Sequence, residues 1–189
     1  VARNKGLSVA AGKFVCFLDS DDYLSTTALE TMHKDISENN LDFVVCNMAL
    51  ENSKQNTLRL FSFPNSILNL SLNKELIIGF NSIGNSSCNK LYTREIVGST
   101  RFSKIKRGED ALFILEILLK AKKIALNNKV LYFYSQNFDS VTHESINYSV
   151  LENHRIVNLR KLELISDYGK QDILKVPLKS YYQKQYLIY

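Results

Sequence analysis

The sequence predicts an α/β fold. Three observations carry that expectation. The runs Lys13 to Leu18 and Asp42 to Leu50 are near-continuously apolar and rich in Val, Phe and Cys. Runs of that kind read as strands covered on both faces. A stretch of helical spacing lies between them, with Ala28, Leu29, Met32 and Ile36 on one stripe. The first run also ends in an acidic cluster, Asp19-Ser20-Asp21-Asp22. Open α/β sheets bind their ligands at the carboxyl ends of strands.

The chain has 189 residues, 45% hydrophobic and 23% charged. That suits one domain, or one domain with a small appendage, and excludes disorder. The formal net charge is +5 and the pI about 9.0. A mild basic excess suits anionic substrates or an anionic surface. The lysines are scattered, with no Arg-rich arm or zinc-finger spacing, so no nucleic-acid partner is expected. Cys16, Cys46 and Cys88 form no CxxC pair, and an odd count argues for a reducing compartment. No apolar stretch reaches 18 residues and no signal peptide opens the chain. The expected location is cytoplasmic.

Val1 to Ala11 reads as a helix already in progress, stopped by Gly12. The expectation is that the chain starts inside a domain. The strand Lys13 to Leu18 follows. Ser25 is the predicted N-cap of a helix from about Thr26 to Glu38, ended by Asn39-Asn40. Asp42 to Leu50 is a central strand, and Leu58 to Phe63 returns at an edge. Asn73 caps a short helix, roughly Lys74 to Phe80, and Asn81 to Ser87 is turn-rich. Thr93 caps a helical turn. Gly108-Glu109-Asp110 opens a helix to about Ala121, apolar almost all round and so buried. Glu116 and Lys120 pair on its polar edge. Lys123 to Leu126 and Val130 to Tyr134 read as two short strands about an Asn127-Asn128 turn. From Ser145 the pattern is helical, with Leu151, Ile156, Leu159, Leu162 and Ile165 near one stripe and a break at Gly169. The basic, Tyr-containing stretch from Gln171 to Tyr189 either packs on its own domain or lies against a membrane interface or partner.

The acidic cluster has two readings. Two carboxylates about 4 Å apart repel by roughly 4 kcal/mol at an effective dielectric near 20. A divalent cation turns that repulsion into binding, and Asp oxygens suit Mg²⁺ or Mn²⁺. The alternative is a solvated turn capping the next helix. Asp22 itself is expected to start the following loop rather than to act as a ligand.

Several pieces, taken in order, resemble one family. Ala2-Arg3-Asn4-Lys5-Gly6-Leu7, Ala11-Gly12-Lys13-Phe14 and Phe17-Leu18-Asp19-Ser20-Asp21-Asp22 are similar to the central motif of family 2 glycosyltransferases. Asn89-Lys90-Leu91-Tyr92 resembles a later segment of that family, and Gly108-Glu109-Asp110 its E-D motif. Tyr132-Phe133-Tyr134 with Ser140-Val141-Thr142-His143 resembles the end of its catalytic domain.

The resemblance implies a GT-A-like mixed sheet flanked by helices, truncated at its N-terminus, in residues 1–144. Residues 145–189 then form a helical C-terminal extension. It implies a nucleotide-sugar donor, expected to be a UDP-sugar, with Mn²⁺ or Mg²⁺ as cofactor. The acceptor is a glycan or lipid-linked molecule, the anomeric centre inverts, and the biology is bacterial surface-polysaccharide assembly. Asp19 and Asp21 occupy the D-x-D motif, with Asp21 the better metal ligand and Asp19 nearer the ribose or a metal water. Arg3 meets the donor diphosphate or else forms a surface salt bridge. Asp110 occupies the catalytic-base position, and Glu109 orients the acceptor or the helix start. The alternative is that both are ordinary first-turn acids favoured by the helix dipole, the reading to prefer for Asp110 only without the upstream motifs. His143 either completes the metal shell, by analogy only, or takes no part in it. Lys90 and Arg107 are acceptor or phosphate contacts, or solvated.

The family's opening strands, which hold uracil and ribose, are not among these motifs. That keeps open a non-catalytic scaffold or partner-binding domain. A haloacid-dehalogenase-like phosphatase is the other rival, because Phe17-Leu18-Asp19-Ser20-Asp21 also resembles its nucleophile strand. Tyr23 stands where that family has Thr or Val.

Overall fold

The structure is a computed structural model that describes residues 2–51, 57–59, 63–71, 85–105, 107–135 and 148–170. Seven strands among the described residues form one mixed sheet. In chain order they are β1 (Phe14–Cys16), β2 (Tyr23–Leu24), β3 (Phe43–Glu51), β4 (Thr57–Arg59), β5 (Ser66–Asn69), β6 (Lys90–Thr93) and β7 (Lys123–Ser135). The path across the sheet is β1-β6-β3-β7-β2, with β4 paired to β3 and β5 to β7. Only the β3–β7 pairing is parallel among the described strands. The described helices are α1 (Ala2–Val9), α2 (Ala28–Asn39), α3 (Arg94–Val97), α4 (Glu109–Lys120) and α5 (Tyr148–Asp167).

The apolar run from Phe43 is central, as its composition predicts, and every residue from Phe43 to Ala49 is buried. Asn40 ends α2 in the left-handed region at φ 51°, and Thr93 caps α3 by accepting the Ile96 amide at 3.3 Å. Helix α4 buries eight residues, and its polar edge carries the Glu116–Lys120 pair at 2.7 Å.

Three local expectations need correction. Helix α2 begins at Ala28, not at Thr26, with Thr27 at the cap position. The Ser25 amide donates to the Leu131 carbonyl at 2.9 Å, extending the β2–β7 pairing, and among the described residues its buried Oγ makes no capping bond. The predicted turn at Asn127-Asn128 is a bulge inside one thirteen-residue strand. Pairing with β3 slips there, from Cys46 opposite Asn127 to Asn47 opposite Val130. The groups the bulge frees are bonded. Asn127 donates to Asp35 at 2.6 Å, Asn47 donates to the Asn128 carbonyl at 2.9 Å, and the Asn128 amide reaches Asn65 at 2.7 Å. The turn-forming residues therefore bend a strand rather than end it.

The third correction concerns α5. Of its expected stripe only Ile165 is buried, while Leu151, Leu159 and Leu162 are exposed. The helix turns Val157 and Ile165 inward instead. Val157 sits where a Cβ on Gly108 would fall, 2.7 Å away, so Gly108 at φ 86° lets the two helices approach. The expected helix near Lys74 to Phe80 and the stretch after Gln171 lie outside the described residues.

An aromatic cluster fixes the elements that matter for function. Phe102 stacks on Phe113 at 4.1 Å between centroids. Phe17 meets Phe102 and Phe113 edge-on at 5.2 and 5.5 Å, and Tyr92 lies 5.9 Å from Phe17. Each such pair adds about 0.5–1.5 kcal/mol beyond burial. Phe17 precedes Asp19 by two residues. Phe113 lies one turn after Asp110 on α4. The cluster thus sets two candidate acids against each other.

Candidate active site

Beyond β1 the chain closes a turn, in which the Asp22 amide donates to the Asp19 carbonyl at 3.1 Å. Ser20 and the exposed Asp21 occupy its tip. Asp22 points back to the sheet. Its carboxylate accepts the Ser135 amide at 3.0 Å and the Tyr132 hydroxyl. Burial raises the Asp22 pKa, against the pull of those two donors. Asp22 therefore locks the turn to β7, in keeping with its expected role as a loop residue.

Arg3 gathers the remaining acids. Its Nη2 donates to Asp19 Oδ1 at 2.7 Å, and its Nη1 reaches Asp110 Oδ1 at 3.2 Å and Glu109 Oε1 at 3.4 Å. The guanidinium lies 5.4 Å from the Phe102 ring centroid. Three acids on two elements 90 residues apart thus share one cation, leaving the group two negative charges in excess. Burial opposes the charge on Arg3, but the bond to Asp19 and the fields of Asp110 and Asp19 outweigh it and raise its pKa. Burial raises the Asp110 pKa, partly countered by Arg3 and by the Ser87 hydroxyl. Ser87 donates to Asp110 Oδ1 at 2.9 Å. A carboxylate whose pKa is shifted by burial and by a specific charge partner is a candidate functional group.

The sequence of residues 1–100 matches the family model described as glycosyl transferase family 2. The chain belongs to that family. Among similar curated proteins is the poly(ribitol-phosphate) beta-N-acetylglucosaminyltransferase TarP of Staphylococcus aureus, 30% identical over 154 residues. That match covers 79% of this chain and 45% of TarP. The cholesterol galactosyltransferase of Borreliella burgdorferi is 30% identical over 166 residues, covering 82% of this chain and 46% of the relative. The solved structure of S. aureus TarS 1–349 in complex with UDP-GlcNAc superposes with a TM-score of 0.65 at 22% identity. It covers 95% of this chain and 56% of TarS 1–349. The fold is therefore of the GT-A type, and the chain spans about half the length of the curated relatives it matches.

Seen as a family 2 chain, the structure brings Arg3, Asp19, Glu109 and Asp110 together and leaves Asp21 at the neighbouring tip. His143 lies outside the described residues. Among the described residues no three His, Cys, Asp or Glu side chains gather as a metal-binding group. Mg²⁺ seldom needs three, because one or two carboxylates plus substrate phosphates usually hold it. The donor set of Asp19 and Asp21 is all hard oxygen, and the guanidinium of Arg3 already places one positive charge beside Asp19. These residues fit a divalent ion whose remaining ligands come with the donor. No described helix is long and apolar enough to cross a membrane.

Lys90 departs from its sequence reading. It is neither solvated nor open to an acceptor, being fully buried beneath the site. Its Nζ donates to Asn89 Oδ1 at 2.8 Å and to the Ser86 carbonyl. Burial pushes its pKa down to about 8. The one available signal was its place in a strand between Cys88 and the apolar pair Leu91-Tyr92. Ser87 was missed altogether, since a serine in a turn-rich stretch carries no sign of its partner.

Proposed function

We propose that this chain carries the acidic half of an inverting glycosyltransferase site. The enzyme would move a sugar from a nucleotide donor, a UDP-sugar by our reading, to a glycan or lipid-linked acceptor. The observation that carries the proposal is the shared grip of Arg3 on Asp19 and Asp110. It puts a candidate donor-side acid and a candidate base on one guanidinium. The names of the relatives support the substrate class: TarP is named for transfer to poly(ribitol-phosphate), and TarS was crystallised with UDP-GlcNAc.

In this reading Asp110 accepts the proton of the attacking hydroxyl. The acceptor oxygen bonds to the anomeric carbon as the bond to the diphosphate breaks, and UDP leaves with the electron pair. A positioned base of this kind typically contributes 10²–10⁴-fold. Glu109 orients the acceptor at the start of α4. Asp21 and Asp19, with His143, would hold Mn²⁺ or Mg²⁺, which when bound would supply positive charge to the departing diphosphate. Arg3 moves its guanidinium toward that diphosphate, which frees Asp110 from one positive neighbour. A diphosphate leaves without being protonated, so one base suffices, whereas an inverting glycoside hydrolase needs a second carboxyl group as acid for its leaving alcohol.

We place this chemistry in residues 1–144, in the cytoplasm, where the three cysteines stay free as they are here. Peripheral membrane contact would bring in a lipid-linked acceptor. Titrating the protein with UDP at fixed Mn²⁺ tests the reading, because a ligand of the native state raises the unfolding midpoint. A dose-dependent rise that EDTA removes is expected. An unchanged midpoint at millimolar UDP and Mn²⁺ would contradict it.

A further inference from the structure

A chain of buried hydrogen bonds runs from the central strand to Asp110. Asn89 Nδ2 donates to the Cys46 carbonyl of β3 at 2.7 Å. Asn89 Oδ1 accepts from Lys90 Nζ, which also holds the Ser86 carbonyl. The Cys88 amide donates to Ser86 Oγ at 3.1 Å, and the Tyr92 hydroxyl donates to the Ser87 carbonyl at 3.1 Å. Ser87, Lys90 and Tyr92 have essentially no exposed surface. A buried ammonium is costly unless its donors are satisfied. Here they are spent on fixing one short loop, and the Ser87 hydroxyl leaves that loop for Asp110 Oδ1.

Both bonds to the Asp110 side chain, from Ser87 and from Arg3, fall on Oδ1. Among the described residues, Oδ2 accepts none. A carboxylate held at one oxygen presents the other in a fixed direction. We propose that Ser87 is a positioning residue for the base. Anchored by Asn89, Lys90 and Tyr92, it holds Oδ1 so that Oδ2 takes the acceptor's proton. The assignment rests on Asp110 as the base. It gives the Asn-Lys-Leu-Tyr segment a task distinct from contacting substrate.

The test needs no substrate. The Asp110 carboxyl is followed by ¹³C NMR against pH in the 189-residue chain, its signal assigned by its loss in Asp110→Asn. The titratable groups facing it are Arg3 from α1, Asp19 from the turn, Cys88, Lys90 and Tyr92 from the β6 side, and Glu109 on its own helix. All of them stay in place in the Ser87 variants. Ser87→Ala removes a donor that favours the charged carboxylate, so the midpoint shifts upward. Ser87→Thr keeps the hydroxyl and restores the wild-type midpoint. A wild-type midpoint in Ser87→Ala would overturn the proposal. If Ser87→Ala loses its dispersed amide spectrum, Ser87→Cys keeps the volume with a weak donor and titrates above wild type. An unshifted Ser87→Cys would equally overturn it. Should Asp110→Asn still transfer sugar, the base reading fails by itself, whatever this titration gives.

Discussion

Replacing Lys90 with Met tests the buried ammonium through the pH dependence of stability. In the unfolded chain the lysine titrates at its ordinary 10.5, and in the fold at about 8. Between those values the unfolded chain binds more protons than the folded one. Stability from this group therefore rises with pH across that window, and the penalty is fully present below about pH 8. The whole span corresponds to about 3 kcal/mol. The three cysteines act in the opposite direction, because burial lifts Cys16 and Cys88 to about 11 and Cys46 to about 12. They are present in both proteins, so to first order they cancel in the difference. At pH 7 alone the comparison is ambiguous. Met removes the buried charge but strips the Ser86 carbonyl and Asn89 Oδ1 of a donor, at about 1–3 kcal/mol each. The slope is the clean quantity. Urea unfolding followed by circular dichroism under reducing conditions should show wild type gaining about 2–3 kcal/mol on Lys90→Met between pH 7 and pH 10. Parallel stability curves would mean that Lys90 reaches water in solution, and the anchoring argument for Ser87 would go with it.

Other perturbations bear on the frame around the site. Gly108→Ala forces a Cβ to within 2.7 Å of Val157 in a left-handed residue. It should destabilise the protein by about 2 kcal/mol or more in urea unfolding, and a change under 0.5 kcal/mol would contradict the close α4–α5 approach. Phe113→Ala empties the aromatic cluster under both acids and should cost about 3–5 kcal/mol by the same assay; a cost below about 1 kcal/mol would show that the cluster is not packed as described. Arg3→Ala leaves Asp19, Glu109 and Asp110 without their shared cation. The Asp110 pKa should then rise further, which moves the acid limb of activity to higher pH. UDP affinity measured by calorimetry should fall by about tenfold or more, and an unchanged affinity would remove Arg3 from the donor.

Much of this architecture was legible because it depends on local patterns. The run from Phe43 could only be a covered strand, and α4 could only be buried, being apolar on nearly every face. Asn40 and Thr93 stand at helix ends for reasons that need no tertiary knowledge. The failures share a cause. Asn127-Asn128 has turn chemistry, yet Asp35, Asn47 and Asn65 from distant segments bond it within a strand. Ser25 has the chemistry of a cap, but it continues the β2–β7 pairing through its amide and its buried Oγ caps nothing among the described residues. In α5 the sequence offers more than one apolar stripe, and only contact with Gly108 decides which is buried. The acids themselves were readable as motif residues. Their common partner Arg3 was readable only as one of two alternatives, and Ser87 not at all, since bonds between residues 23 and 107 positions apart leave no periodicity.

In the proposed mechanism Asp110 acts after the donor has bound rather than in binding it. The direct measurement pairs calorimetry of UDP with Mn²⁺ and a transfer assay, on wild type and Asp110→Asn. The expected result is an unchanged UDP affinity with turnover reduced at least about 100-fold. Retained turnover in Asp110→Asn, or UDP binding lost together with turnover, would contradict it.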